Sequence, residues 1–157
     1  MVIGIDPGSV SAAYGVLDSG GAYVVTGDLP VTPHGKAGKV QINGKLCADL
    51  LRAIAPNPTE SLVIVEAVGA MPKQGVSSMF RFGVSYGIIL GVLGALGLPF
   101  LLVSPVKWKR AAGLGKVKDE SRTLALRLWP DSAPMLTRKK DNNRSDALLL
   151  ARYGVGR

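Results

Sequence analysis

The sequence predicts an α/β fold, a mixed five-stranded sheet flanked by helices. Short β-branched runs closed by turn residues recur along the chain, and between the later ones lie longer apolar stretches with helical spacing. Together they read in the order βββαβαβαα, three strands followed by alternation, and that order makes a sheet with helices on its faces. At 157 residues the chain is expected to be one domain, 1–157, long enough to bury a full core. A hydrophobic content of 47% with only 6% aromatic residues makes that core aliphatic.

Residues 2–5, 12–17 and 22–27 are expected to form an antiparallel meander. The turns Asp6-Pro7-Gly8-Ser9 and Asp18-Ser19-Gly20-Gly21 supply the chain reversals. Residues 30–44, rich in Gly, Pro and Lys, read as a loop. An amphipathic helix over 46–55 stops at Pro56-Asn57-Pro58. A strand at 62–65, a long glycine-bearing helix over 77–96 and a strand at 100–103 follow. Helices over 117–129 and 143–153 complete the chain.

Residues 84–103 carry no charge over twenty positions, the length of a membrane-spanning helix. Gly97-Leu98-Pro99 interrupts the run, so it is read as a helix followed by a buried strand. Met1 leads directly into a strand, with no signal peptide in view, and a cytoplasmic protein is expected. On the long helix Gly83, Gly87, Gly91 and, slightly displaced, Gly94 form a stripe. Each costs about 0.5–1 kcal/mol relative to alanine, which a close backbone approach would offset. The partner is either the sheet of the same chain or the same helix of a second subunit.

One cysteine, Cys47, excludes an internal disulfide and reads as a buried small hydrophobe. One histidine, His34, leaves no His/Cys cluster for zinc. Any metal is therefore held by oxygen, which favours Mg²⁺ or Mn²⁺. Two acids stand at the C-terminal ends of apolar strands: Asp6 after Val2-Ile3-Gly4-Ile5, and Glu66 after Leu62-Val63-Ile64-Val65. A third, Asp146, opens the apolar helix Ser145-Asp146-Ala147-Leu148-Leu149-Leu150-Ala151. Burying an uncompensated carboxylate costs several kcal/mol, so acids in such places imply a cation among them or raised pKa values.

The net charge of +8 is confined to one end. Residues 1–106 hold six Lys/Arg and six Asp/Glu; residues 107–157 hold thirteen against five. A neutral scaffold with a basic face is what a polyanion-binding surface requires, because lysines and arginines on phosphates release condensed counterions.

The ordered motifs resemble those of a ribonuclease H-like nuclease, and specifically the RuvC family of Holliday junction resolvases in their small phage-encoded form. The resemblance rests on Ile3-Gly4-Ile5-Asp6-Pro7-Gly8, Val63-Ile64-Val65-Glu66, the Gly83 to Gly87 helix, Val103-Ser104-Pro105-Val106-Lys107-Trp108-Lys109 and the Asp146 helix. It implies a ribonuclease H-like sheet and Mg²⁺-dependent (or Mn²⁺-dependent) cleavage of four-way DNA junctions, with two ions per active site. It also implies a homodimer with one site for each of two strands, and host-cell cytoplasm as the compartment if the chain is phage-encoded. Carried over, Asp6 bridges the two ions while Glu66 and Asp146 ligate one each. The family's fourth ligand, one helical turn before the last aspartate, falls here on Asn143, which departs from the pattern. Asp141 is the candidate replacement, its alternative role being a cap on the last helix; the other candidate is Asn143 itself, ligating more weakly through its carbonyl oxygen.

Lys107, Lys109, Lys116 and Lys118 surround Gly113-Leu114-Gly115 and read as phosphate contacts near the scissile strand. Arg138, Lys139 and Lys140 read as contacts to a duplex arm. Met71, Phe80 and Phe82 follow Glu66, where an apolar side chain can wedge into a junction, though core packing is the expectation for both phenylalanines. Trp108 reads as an amphipathic anchor beneath the Pro105 turn, with base stacking as its alternative.

Three other functions remain open at this level. One is a ribonuclease H-type activity on RNA–DNA hybrids. Another is an actin-like ATPase lobe, for which a single domain is too short. The third is a non-catalytic DNA-structure-binding protein.

Overall fold

A computed structural model describes residues 1–8, 11–35, 38–69, 75–115 and 119–157. Three strands, β1 (Val2–Asp6), β2 (Ala13–Leu17) and β3 (Tyr23–Asp28), form the expected meander. Two more, β6 (Leu62–Glu66) and β7 (Phe100–Val103), join on the other side of β1 in parallel. The sheet runs β3-β2-β1-β6-β7, mixed and five-stranded as predicted.

The segment read as a loop is a correction. Within it β4 (Val31–Pro33) and β5 (Val40–Ile42) pair as a small antiparallel hairpin. Val31, Val40 and Ile42 are β-branched, but three residues a side is too short for a period-2 pattern to stand out among Gly, Pro and Lys. Ile42 anchors the hairpin in the core.

Helices cover both faces. On one face α1 (Gly44–Ile54), capped by the Asn43 side chain accepting from the Leu46 N–H, packs with α2 (Val76–Ala95). Ile3, Ile5, Val63 and Val65 meet Leu51, Ile89 and Leu93 there. Cys47 lies in the same cluster, fully buried, its thiol pushed up to about 11 by desolvation, in keeping with a structural role. On the other face lies α5 (Asn142–Gly154), against β1 and β2. With it are α3 (Pro105–Ala111) and α4 (Glu120–Leu128), whose residues cluster with Val2, Ile64, Leu148 and Leu149.

The sequence reading missed α3. Pro105 at its first helical position is the signal that could have found it, since a fixed φ and a missing N–H suit that place. The helix expected from residue 117 is described from Glu120, and Val117 lies outside the described residues.

By length and composition α2 is, among the described residues, the one helix able to cross a membrane. One side of it, Ser85, Ile89 and Leu93, is buried. Gly83, Gly87, Gly91 and Gly94 face the other way, with open space where each Cβ would stand. The stripe is therefore not a contact with the chain's own sheet. The close backbone approach occurs elsewhere: a Cβ on Gly4 would collide with the Ala147 carbonyl oxygen, and one on Gly15 would lie 2.6 Å from the Leu148 nitrogen. These two strand glycines let α5 settle directly onto the sheet.

Candidate active site

Strand periodicity decides where the acids point. In β1, Ile3 and Ile5 enter the α1/α2 core while Val2 enters the α5 side; in β6, Val63 and Val65 match the former and Ile64 the latter. Asp6 and Glu66 continue the even-numbered series, so both belong to the α5 side. Parallel register pairs Ile5 with Val65, which sets the two acids side by side at the ends of adjacent strands. Asp146, in the first turns of α5, comes down from above. The electrostatics record the meeting. Burial raises the Asp6 carboxyl well above its ordinary range, and the charges of Asp146 and Glu66 raise it further. Glu66 is raised by burial and by Asp146, against a hydrogen bond from Trp108 and the Lys109 charge. Asp146 is raised by burial, against Ser121 and Lys109.

The carboxyls are neighbours in mutual repulsion rather than a closed coordination shell. Among the described residues no three His, Cys, Asp or Glu side chains are gathered tightly enough to hold a metal ion as they stand. The fit to a cation shows in the unmet demand of the site. Asp146 Oδ1 is buried without a hydrogen-bond partner among the described residues, as are Ser145 Oγ and Asn142 Oδ1 in the same turn. An orphaned buried carboxylate oxygen next to two raised acids is an arrangement that a hard divalent ion would satisfy.

Asp141, the candidate fourth ligand, is held by an arginine three residues before it in the chain. Its carboxylate accepts from the Arg138 backbone N–H at 2.8 Å and from Arg138 Nη2 at 2.7 Å, with Arg144 Nη1 at 3.8 Å. The hydrogen bond from Arg138 holds its pKa below the usual range, opposite to the three acids of the cluster. It is only 2% exposed and engaged by arginine, while the charges acting on Asp6 come from Asp146, Glu66 and Lys109. Asn143 is likewise engaged, its Nδ2 donating to the Ser11 carbonyl and to Ser11 Oγ at 2.8 Å. It ties α5 to the segment following Asp6.

Among the described basic candidates, Lys109 is the one whose charge opposes the rise of all three acids. Its ammonium also lies 5.2 Å from the centre of the Trp108 ring. Lys107, Lys139 and Lys140 are exposed. Arg138 is half-exposed, with its guanidinium bound to Asp141, so its first role is within the chain. Lys116, Lys118 and Met71 lie outside the described residues.

Phe82 is partly buried, but Phe80 is 73% exposed near the start of α2 and does not pack in the core as expected. Trp108 is fully buried, as an anchor should be. Sequence reading missed its second feature, the hydrogen bond it donates to Glu66.

No protein-family model matches the chain. Over 153 residues, 96% of the chain, it is 29% identical to the crossover junction endodeoxyribonuclease RuvC of Anaeromyxobacter dehalogenans, covering 78% of that protein. Over 113 residues it is 34% identical to the chloroplastic Holliday junction resolvase MOC1 of Chlamydomonas reinhardtii, a match spanning 13% of that longer protein. In structure it superposes on Thermus thermophilus RuvC in complex with Holliday junction substrate, with a TM-score of 0.59 at 18% identity. That superposition covers 96% of this chain and 88% of the other.

Proposed function

From the RuvC-like, ribonuclease H-like fold that this chain has, we propose that it is a divalent-metal-dependent endonuclease that cuts four-way DNA junctions. The observation that carries the proposal is the meeting of Asp6, Glu66 and Asp146 from β1, β6 and α5. All three carboxyls are raised by burial, and one buried oxygen is unpartnered among the described residues. Asp6, at the centre of the repulsion, would touch both ions, with Glu66 and Asp146 holding one each. Bound there, Mg²⁺ or Mn²⁺ supplies activation of a water for in-line attack on the phosphodiester and stabilisation of the departing oxygen.

The chain's own residues do the rest. Burial keeps the carboxylates in a low-dielectric pocket, where their charges act strongly on a cation. Lys109 adds positive charge beside them and would meet a phosphate. Lys107, Lys139 and Lys140 lie exposed on the basic half of the chain, where they would hold junction arms; Lys116 and Lys118 belong to the same proposal. Phe80, exposed near the start of α2, would be an apolar side chain able to enter an opened junction.

Resolution of a junction needs two cuts at fixed spacing, and a twofold dimer supplies them. The exposed glycine face of α2 is the proposed contact between copies. Labelled four-way junction, linear duplex and RNA–DNA hybrid, each incubated with and without Mg²⁺, test the function. Paired nicks in the junction alone, and only with Mg²⁺, are expected; preferential cleavage of the hybrid would assign a ribonuclease H activity instead.

A further inference from the structure

Trp108 makes two contacts that bear on the acid cluster. Its position follows from the sheet: Val103 ends β7 in register with Glu66, and the Ser104-Pro105 turn starts α3 at once. The fourth residue of α3 is therefore carried back over the end of β6. The ring is fully buried against the cluster that includes Val103, Ile64 and Leu149. A buried indole requires a partner for its N–H, and here Nε1 donates to Glu66 Oε2 at 2.6 Å, a short, charge-assisted bond. On the face of the same ring lies the Lys109 ammonium, 5.2 Å from its centre, a cation–π contact. Among the described residues, Lys109 is the one basic side chain whose charge acts on Asp6, Glu66 and Asp146 alike.

We propose that Trp108 is a positioning residue of the active site. Its indole N–H fixes Glu66 through Oε2 and leaves Oε1 for a divalent cation, while its ring face holds Lys109 toward the same carboxylates. The inference rests on the reading of Glu66 as a cation ligand. It adds a supporting residue, one that touches neither substrate nor metal and acts through its two neighbours. A carboxylate on a long side chain has three rotatable bonds. Tying one oxygen to a ring that cannot move removes most of that freedom before the cation arrives. Partners of this kind typically govern metal affinity by 10–100-fold.

The test reads cation binding directly, without DNA or turnover. Mn²⁺ is titrated calorimetrically into the unaltered protein, into Trp108→Phe, which keeps an aromatic ring and loses the donor, and into Leu149→Ala, which loosens the same cluster and keeps the N–H. In parallel, Trp108 emission is followed in a Trp129→Phe protein, where it is the sole indole. The expected result is Mn²⁺ affinity about 10-fold weaker in Trp108→Phe, near wild-type affinity in Leu149→Ala, and quenching of Trp108 emission with the calorimetric midpoint. Wild-type affinity in Trp108→Phe, or equal losses in both variants, would overturn the positioning role. If Trp108→Phe does not fold, unchanged Trp108 emission across a calorimetrically observed binding step overturns it instead. A wild-type protein giving neither heat nor quenching refutes the three-carboxylate site itself, and the inference with it.

Discussion

Gly4 and Ala147 are in backbone contact across the sheet–helix interface, so close that a Cβ on Gly4 would collide with the Ala147 carbonyl oxygen. Gly4 stands two residues before Asp6, and Ala147 follows Asp146. The absence of one side chain thus sets how near the strand-borne acids come to the helix-borne one. Gly4→Ala forces backbone against backbone and is expected to destabilise the fold by more than about 3 kcal/mol, beyond ordinary overpacking. Chemical denaturation measures it.

Gly87→Ala should behave in the opposite way. Open space surrounds that position, and alanine gains about 0.5–1 kcal/mol in a helix interior. The melting temperature should hold or rise. If the stripe joins two copies, sedimentation should show weaker self-association in the same variant.

Asp6→Asn should abolish Mg²⁺-dependent cleavage while junction binding, carried by the basic residues, persists. It should also raise the melting temperature of metal-free protein at neutral pH. The folded-state pKa of Asp6 lies above its ordinary value. The native state therefore binds more protons than the unfolded chain between those two values, and stability falls as pH rises through that window. Removing the charge removes the cost. A lowered metal-free melt would contradict the raised pKa.

Asp141→Asn should lower stability by about 0.5–2 kcal/mol, the range of a forfeited capping interaction, and leave the Mg²⁺ requirement for cleavage unchanged. The Asp141 pKa is depressed, so its contribution is fully present above the ordinary aspartate pKa of about 3.9 and is lost as pH falls below it through the folded value. The stability difference between wild type and variant should shrink over that acid range. A raised Mg²⁺ requirement would return Asp141 to the metal site.

Neutralising Lys139 and Lys140 together should weaken junction binding without changing cleavage of bound junction. The slope of log affinity against log salt should flatten by about 0.9 for each phosphate that is no longer neutralised. Binding titrations at several salt concentrations decide how many of the two touch DNA.

The five strands of the sheet were legible in the chain, and so were the strand ends that carry Asp6 and Glu66, because both are written in local patterns. Val-Ile-Gly-Ile-Asp and Leu-Val-Ile-Val-Glu are each a short, mostly β-branched apolar run that ends on an acid, and parallel pairing in the observed register sets those acids side by side. The charge asymmetry and the helix of Asp146 are equally local. What the tertiary structure decided concerns partners distant in sequence. Asp141 is engaged by Arg138, with Arg144 nearby, and Asn143 holds Ser11. The indole of Trp108 finds Glu66 forty-two residues away. The glycines that matter for close approach are Gly4 and Gly15 rather than the conspicuous stripe on α2. Periodicity tells which face a side chain takes, because backbone geometry repeats along an element. Which group waits on that face is set by how elements pack, and a hydrogen bond or a close backbone approach between distant residues leaves no mark on the order of amino acids.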